Sequence, residues 1–222
     1  IRSCLVGSEM CIRDSCKLVA LGKPTEKESK KWFKRYETHL PNTGEIVFFD
    51  RSWYTRALVE ATMGYCTKRQ YTYFMKNVIP WEKKQIEEGV EFFKFYLSIE
   101  KNTQQKRIDK RATSPLVYWK ISENDLKMLD KWDAFTLYKE QMFKRTSYDE
   151  APWIVLNANN KKVAILSALR FILNAFDYPD KDLPKPKIWS EGLNNYKVEI
   201  NKVLFENLSY QQYKTLRVFA DE

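Results

Sequence analysis

The chain has 222 residues, of which 44% are hydrophobic and 15% aromatic, and this composition suits one domain with a sizeable core and room for an appendage. No apolar run approaches the roughly 20 residues that span a bilayer, and the Leu5-Val6 stretch is too short for the core of a signal peptide. A formal net charge of +9 favours polyanionic partners, although a basic solvated surface explains the charge equally well. The basic residues are interleaved with acids, so no Lys/Arg tail indicates nucleic-acid binding.

The four cysteines do not form a metal-binding set. Cys4, Cys11 and Cys16 crowd the first sixteen residues without CxxC spacing, and Cys66 lies far from them. With His39 as the only histidine, the sequence does not predict a zinc site. Unpaired thiols of this kind are typical of a reducing compartment, so we expect a cytoplasmic protein.

Residues 1–16 differ from the rest of the chain. The string IRSCLVGSEMCIRDSC follows neither the period of a strand nor that of a helix, and it resembles translated adaptor read-through. We therefore predict that residues 1–16 are a non-native or disordered N-terminus; the alternative is an ordinary flexible one.

Strand-like and helix-like segments alternate from residue 17 onward, which predicts an α/β fold with a parallel sheet covered by helices on both faces. Pro80 is expected to break one helix. A Pro-rich linker and a largely helical extension are expected over residues 179–222, after a domain at residues 17–178. The predicted strands are 17–21, 45–49, 90–99 and 153–156, and the predicted helices are 26–40, two segments starting at Thr55 and Thr67, 104–111, 123–145 and 161–176.

The segment most informative about chemistry is GEIVFFDRSWYTR, in which a hydrophobic strand delivers Asp50 to its carboxyl end. Ligands of open parallel sheets bind at that edge, and phosphate-transfer folds present a Mg²⁺-holding carboxylate there. Arg51 and Arg56 bracket the same edge with guanidinium groups that suit phosphate oxygens. Taken alone the motif is weak, because Asp50 could also cap the next helix with Arg51 as its surface partner.

A second basic cluster lies in the helix predicted at residues 104–111. Arg107 and Arg111 are four residues apart and share a helix face. Two like charges on one face repel each other unless an anion lies between them. A solvated charged face is the alternative interpretation of this pattern.

Several segments together resemble the polyphosphate kinase 2 family, in order and in spacing, over residues 17–176. The resemblance implies a P-loop kinase-like α/β fold with a helical lid, here at about 103–122. It also implies Mg²⁺-dependent phosphoryl transfer between inorganic polyphosphate and a nucleotide. The matching segments are GEIVFFDRSWYTR, Met63-Gly64-Tyr65, Trp119-Lys120-Ile121-Ser122, Trp132-Asp133, Tyr138-Lys139-Glu140-Gln141-Met142-Phe143, Arg145-Thr146 and Ala151-Pro152-Trp153.

The resemblance also implies roles for individual residues. Asp50 corresponds to a metal-coordinating position, and Asp50, Arg51 and Arg111 are the expected catalytic residues. We expect Asp50 to face the lid arginines across a cleft. The expected phosphate-binding residues are Arg51, Arg56, Arg107, Arg111 and Lys120. Glu60 and Thr55 are weaker candidates, the latter because Thr55 stands where the family more often has Asn.

The phosphate loop GxxxxGK[ST], which should precede these motifs, does not occur in the sequence. Gly22-Lys23 is the only Gly-Lys pair, and the required earlier glycine would fall on Lys17. We therefore expect an N-terminally truncated chain that lacks the central first strand and is impaired in catalysis. The alternatives are an inactive fragment that binds polyphosphate or nucleotide, a nucleic-acid-binding protein, and a kinase that uses ATP as donor.

The partners implied by the resemblance are inorganic polyphosphate and nucleoside di- or triphosphates, with Mg²⁺ as cofactor. The lid and residues 139–145 look closest to members that phosphorylate nucleoside diphosphates, ADP or GDP, to ATP or GTP. We expect no membrane association and no specific nucleic acid as partner. We also expect a homo-oligomer.

Overall fold

The computed structural model describes residues 15–179, 181 and 196–220, without the side chains of Lys120, Asn124, Leu126 and Phe219. The chain forms two compact units, Ile1–Val90 and Glu91–Glu222, each described here by itself. Most of the predicted non-native N-terminus, residues 1–14, lies outside the described residues, as does most of the predicted Pro-rich linker.

A parallel pair of strands organises the first unit. Strand β1 (Cys16–Val19) pairs with β2 (Ile46–Phe49), and Val19 lies opposite Phe49 at their carboxyl ends. The ladder extends one residue further, because the Asp50 amide donates a hydrogen bond to the Val19 carbonyl oxygen at 2.9 Å. Both strands were predicted from their apolar runs.

The helices of the first unit surround an aromatic core. The single helix predicted at residues 26–40 is divided in two, and the segment after Asp50 begins as a 3₁₀ turn, Trp53–Arg56. Trp53 packs against Trp81 at 4.8 Å between ring centroids, and Phe33 stacks on Trp81 at 5.0 Å. The helices are α1 (Glu26–Lys30), α2 (Lys34–Glu37), α3 (Val59–Met63) and α4 (Lys68–Glu87).

The prediction that Pro80 breaks a helix is wrong, because α4 continues through it. A proline inside a helix costs about 3 kcal/mol, since it removes one backbone hydrogen bond and crowds the preceding turn. The helix is anchored on both sides of Pro80, by Phe74 and Val78 before it and by Glu82 after it, all buried. Helices in proteins draw most of their stability from such packing, which here outweighs the local cost.

A four-stranded sheet organises the second unit, in the order β3-β4-β6-β5. Strands β3, β4 and β6 run parallel, and β5 is antiparallel to β6. The strands are β3 (Lys94–Ser98), β4 (Trp153–Asn157), β5 (Tyr196–Ile200) and β6 (Val203–Leu208), and the helices are α5 (Lys101–Thr113), α6 (Glu123–Asp130), α7 (Trp132–Thr146), α8 (Lys161–Ala175) and α9 (Tyr210–Ala220). The predicted α/β architecture, parallel strands flanked by helices, is therefore confirmed.

The prediction of a largely helical C-terminal extension is wrong. The described part of the extension is a β-hairpin followed by one helix, and β6 joins the main sheet beside β4. Asn201 and Lys202, at the tip, both have positive φ angles, 51° and 62°, as the tight turns of β-hairpins require. The apolar residues of VLFENL and the alternation of YKVEI carried this signal, which the polar composition of the whole segment obscured.

Candidate active site

Asp50 lies where the sequence analysis expected it, immediately after the carboxyl end of β2. Its side chain is exposed and makes no hydrogen bond or ion pair within the described residues. A free carboxylate at this edge fits a magnesium ion, which usually needs one or two carboxylates and completes its shell with water and substrate phosphates. Among the described residues, no group of three or more His, Cys, Asp or Glu forms a protein-only metal site.

Arg51 adopts a backbone conformation that is rare for its residue type, with a φ of 68°. The left-handed region is unfavourable for residues with a Cβ atom, and such strain clusters at functional sites. The turn leaves the Arg51 side chain exposed, without a hydrogen bond or ion pair within the described residues. Asp50 and Arg51 are thus adjacent charged groups of opposite sign, and neither has a partner among the described residues of the unit.

Buried aromatic residues fix the loop that follows Arg51. The Tyr36 hydroxyl donates to the Ser52 carbonyl at 3.2 Å, and the Trp32 indole nitrogen donates to the Trp53 carbonyl at 2.9 Å. The Trp53 indole nitrogen donates to Glu82 in α4 at 2.8 Å. Because these side chains are in the core, their hydrogen bonds hold the backbone next to Asp50 and Arg51 in one position.

Arg56 is buried, which the sequence did not indicate. Its side chain is 2% exposed; its Nε lies 2.8 Å from Glu60 Oε2, and its Nη2 donates to Ser29 Oγ at 3.1 Å. Its guanidinium carbon is 3.9 Å from the centre of the Trp32 ring, a cation–π contact. In this conformation Arg56 stabilises the packing beneath the loop through Ser29, Glu60 and Trp32. Its role in phosphate binding stays a prediction.

The two weaker candidates also make internal contacts. Glu60 is 8% exposed, and burial raises the pKa of its carboxyl although the Arg56 charge opposes the shift. Its Oε2 and Arg56 Nε form an ion pair without the alignment of a hydrogen bond. The Thr55 hydroxyl donates to the Ser52 carbonyl at 3.1 Å, so it stabilises the loop.

In the second unit, Arg107 reaches from α5 to the carboxyl end of β4. Its Nη2 donates to the carbonyl oxygens of Ala158 and Asn159, at 2.8 and 2.9 Å. An arginine has five N–H donors. The other three, on Nε and Nη1, have no partner among the described residues and can bind an anion at this edge.

Arg107 and Arg111 lie four residues apart in α5, as predicted, but their side chains contact different elements. Arg111 Nη1 is 3.9 Å from Asp125, and the side chains of this pair are both about one-third exposed. An ion pair this long and exposed is weak, so it leaves Arg111 available to a stronger anionic partner. The third predicted lid cation, Lys120, ends a 3₁₀ turn, Tyr118–Lys120, and its side chain lies outside the described part of the chain.

The structure brings Asp50 and Arg51 together in the first unit, and Arg107 to the β4 edge in the second. The predicted arrangement of Asp50 opposite the lid arginines stays a prediction. Sequence reasoning missed Asn159, whose carbonyl holds Arg107. The polar run Asn157-Ala158-Asn159-Asn160 after a buried strand was the available signal.

The first unit therefore carries a carboxylate and an arginine at the carboxyl end of a parallel strand, and the second carries an arginine at the same end of another, as in phosphate-transfer folds. The family profile of Polyphosphate kinase 2 (PPK2) matches residues 8–184. The chain belongs to this family. The matched range begins before residue 17 and so includes part of the N-terminal string at residues 1–16.

Curated relatives and solved structures agree with this assignment. The chain is 44% identical over 180 residues to Polyphosphate kinase PPK2B of Corynebacterium glutamicum, covering 78% of this chain and 59% of the relative. It is 45% identical over 167 residues to the GDP-polyphosphate phosphotransferase of Mycolicibacterium smegmatis, covering 75% and 59%. The structure of Polyphosphate Kinase 2 from Arthrobacter aurescens TC1 superposes with a TM-score of 0.70 at 29% identity, covering 78% of this chain and 63% of that one.

The chain spans 59% of the length of each of these two curated relatives. No helix in the described part of the chain is both long enough and apolar enough to cross a membrane.

Proposed function

We propose that this chain forms part of an enzyme that transfers phosphoryl groups between inorganic polyphosphate and a nucleotide in a Mg²⁺-dependent reaction. The observation that carries the proposal is the position of Asp50 and Arg51, exposed at the carboxyl end of β2 and without a partner among the described residues. A nucleoside diphosphate, ADP or GDP, is the proposed acceptor, and relatives are named GDP- and ADP-polyphosphate phosphotransferases. The proposed location is cytoplasmic, and the expected homo-oligomer stays a prediction.

Alignment and charge neutralisation supply most of the acceleration in phosphoryl transfer. Asp50 would hold Mg²⁺, which neutralises charge on phosphate oxygens. Arg51 would donate hydrogen bonds to the transferred group from a backbone that is fixed by the aromatic core. Arg107 and Arg111 would bind further phosphates of the chain.

A second candidate is a fragment that binds these ligands without turnover. The observation in its favour is the lack of a GxxxxGK[ST] loop within the 222 residues. Such a loop cradles phosphates with backbone amides and one lysine. Without it the remaining cations attract polyphosphate, but attraction without alignment does little for rate.

The decisive experiment compares ATP formation from ADP, polyphosphate and Mg²⁺ by two proteins. One is the 222-residue chain, and the other is the same chain joined to an upstream segment that carries the phosphate loop. We expect almost no ATP from the first, although it binds polyphosphate in a salt-dependent way, and robust turnover from the second. Equal turnover by both would show that the loop is dispensable. No turnover by either would reject the proposed function.

The same assay tests Asp50 in the loop-containing protein. Asp50→Asn should abolish Mg²⁺-dependent transfer, because a lost ligand lowers both metal affinity and stabilisation of the transition state. Glu87→Gln, at the exposed end of α4, is the matched control and should retain full activity. Unchanged turnover of Asp50→Asn at limiting Mg²⁺ would remove Asp50 from the mechanism.

A further inference from the structure

A cavity of about 350 Å³ opens at the carboxyl ends of β3, β4 and β6. Parallel sheets bind ligands at this edge, and the volume falls at the lower end of the roughly 300–1,000 Å³ typical of small-molecule sites. One wall comes from Ser98, Ile99 and Asn157 at the ends of β3 and β4, and the other from β6 and α9. The second wall lies after residue 184, the end of the family match.

Hydrogen bonds join the two walls. Asn157 Nδ2 donates to Gln212 Oε1 at 2.9 Å, and the Ser209 amide donates to the same oxygen at 3.0 Å. Asn207 Nδ2 donates to the Asn157 carbonyl at 3.2 Å, and Asn207 is buried with a φ of 58°. These contacts hold α9 against the strand ends, so the cavity is a built feature of the unit.

The lining combines apolar surface with unused hydrogen-bonding groups. Ile99, Phe205 and Leu216 supply the apolar surface. The Gln212 Nε2 and the whole side-chain amide of Gln211 have no hydrogen-bond partner within the described residues. Apolar walls with a few amide groups suit a ligand that has an apolar face and an edge that donates and accepts hydrogen bonds.

The charges around the cavity argue against polyphosphate as its occupant. The described lining contains no Lys or Arg, and its one charged residue is Glu100. Glu100 accepts a hydrogen bond from Asn159 Nδ2 at 3.0 Å, and the Asn159 carbonyl binds Arg107. The cavity itself thus suits a neutral group. The Arg107 guanidinium lies next to the lining residue Asn159, where it can contact a charged group attached to that ligand.

We propose that this cavity binds the nucleoside part of a nucleotide, with the C-terminal hairpin and α9 as its outer wall. The inference rests on the proposed function, which supplies the nucleotide. The amides of Gln211 and Gln212 hydrogen-bond the edge of the base. The phosphates of the same nucleotide extend past Asn159 towards Arg107.

The test measures binding of adenosine, guanosine and inorganic tripolyphosphate to the 222-residue chain by calorimetry. Thr215→Phe places a ring in the cavity and should weaken binding of the preferred nucleoside at least about tenfold, because an occupied pocket excludes the ligand. Val218→Phe, on the same helix but outside the lining, should leave it unchanged. Tripolyphosphate affinity should be the same in all three proteins.

Gln211→Leu is a second variant that does not depend on tolerance of a large side chain. It removes an amide without a hydrogen-bond partner in the described chain, and should weaken nucleoside binding about threefold to tenfold through one lost hydrogen bond. If neither nucleoside binds, or if both variants bind like the unmodified chain, the inference is wrong. Failure of the proposed function looks different: nucleoside binding persists while the loop-containing protein makes no ATP.

Discussion

At the scale of single residues, the buried pair of Arg56 and Glu60 supports the candidate site. Removing a charge from water is costly unless a partner and further polar contacts compensate. Arg56 has such contacts in Glu60, Ser29 and the face of Trp32. Because Trp32 also binds the loop carbonyl of Trp53, the pair is connected to the segment that carries Asp50 and Arg51.

The raised pKa of Glu60 makes its contribution to stability dependent on pH. Its ordinary value is 4.5, and burial raises the folded-state pKa. Between these two values the native state binds more protons than the unfolded state, so the free energy of unfolding falls as pH rises. We expect the stability of the unmodified chain minus that of Glu60→Gln to decline across this window.

Urea unfolding at a series of pH values measures this difference. Glu87→Gln, an exposed residue of the same unit, is the control, and its difference from the unmodified chain should stay flat. A difference that grows with pH for Glu60→Gln would mean that the Arg56 charge, and not burial, dominates the environment of the carboxyl group.

Local sequence was sufficient to predict the position of Asp50 and Arg51 at the end of a strand, and insufficient to predict the burial of Arg56. The first two follow directly from the end of an apolar strand, so their position depends on neighbouring residues alone. The burial of Arg56 depends on Ser29 and Trp32, which precede it by 27 and 24 positions in the printed sequence. No local pattern carries that information.

At the scale of elements, α4 is defined by its capping box. The Thr67 hydroxyl accepts a hydrogen bond from the Gln70 amide at 3.2 Å, and the Thr67 amide donates to Gln70 Oε1 at 2.8 Å. Gln70 Nε2 also donates to Ser29 Oγ at 3.2 Å, the atom that accepts from Arg56. The start of α4 is therefore connected to the buried arginine.

Thr67→Ala should destabilise the chain by about 1 kcal/mol, because the first turn of α4 loses its side-chain cap. Thr72→Ala makes the same chemical change at an exposed position inside α4, away from the cap. It should change stability by less than about 0.5 kcal/mol. Urea denaturation measures both, and equal effects would show that the cap contributes nothing.

The elements also show where sequence patterns reach their limit. Apolar runs located the first four strands, and Ser122 with Asp125 correctly predicted the capping box of α6. The course of α4 through Pro80 was missed because the buried contacts that outweigh the proline are tertiary. The C-terminal hairpin was missed because a polar composition is compatible with a strand when only part of its surface is buried.

At the scale of the whole molecule, the C-terminal segment is an integral part of the second unit. Val203 and Leu208 are 4% and 5% exposed, and β6 forms a parallel ladder with β4 over Trp153–Leu156. An appendage attached by a linker would not bury these side chains. The sheet that carries Arg107's anchor is thus completed by residues beyond the family match.

Leu208→Ala should therefore cost about 2–5 kcal/mol, the usual effect of deleting a buried leucine side chain. Val218→Ala, in the same segment but 60% exposed, should cost little. Thermal and urea unfolding of the 222-residue chain measure both variants. A negligible effect of Leu208→Ala would show that the segment does not fold with the sheet.

The left-handed backbone of Arg51 has a consequence for how this protein can change over evolutionary time. Glycine adopts that conformation without penalty, whereas a residue with a Cβ loses about 1–2 kcal/mol there. A mutation to glycine would thus make the fold more stable while deleting the guanidinium beside Asp50. Under the proposed role of Arg51 in phosphate binding, selection for stability and selection for catalysis act in opposite directions at this position, and an Arg51→Gly lineage would become more stable as it lost phosphoryl transfer.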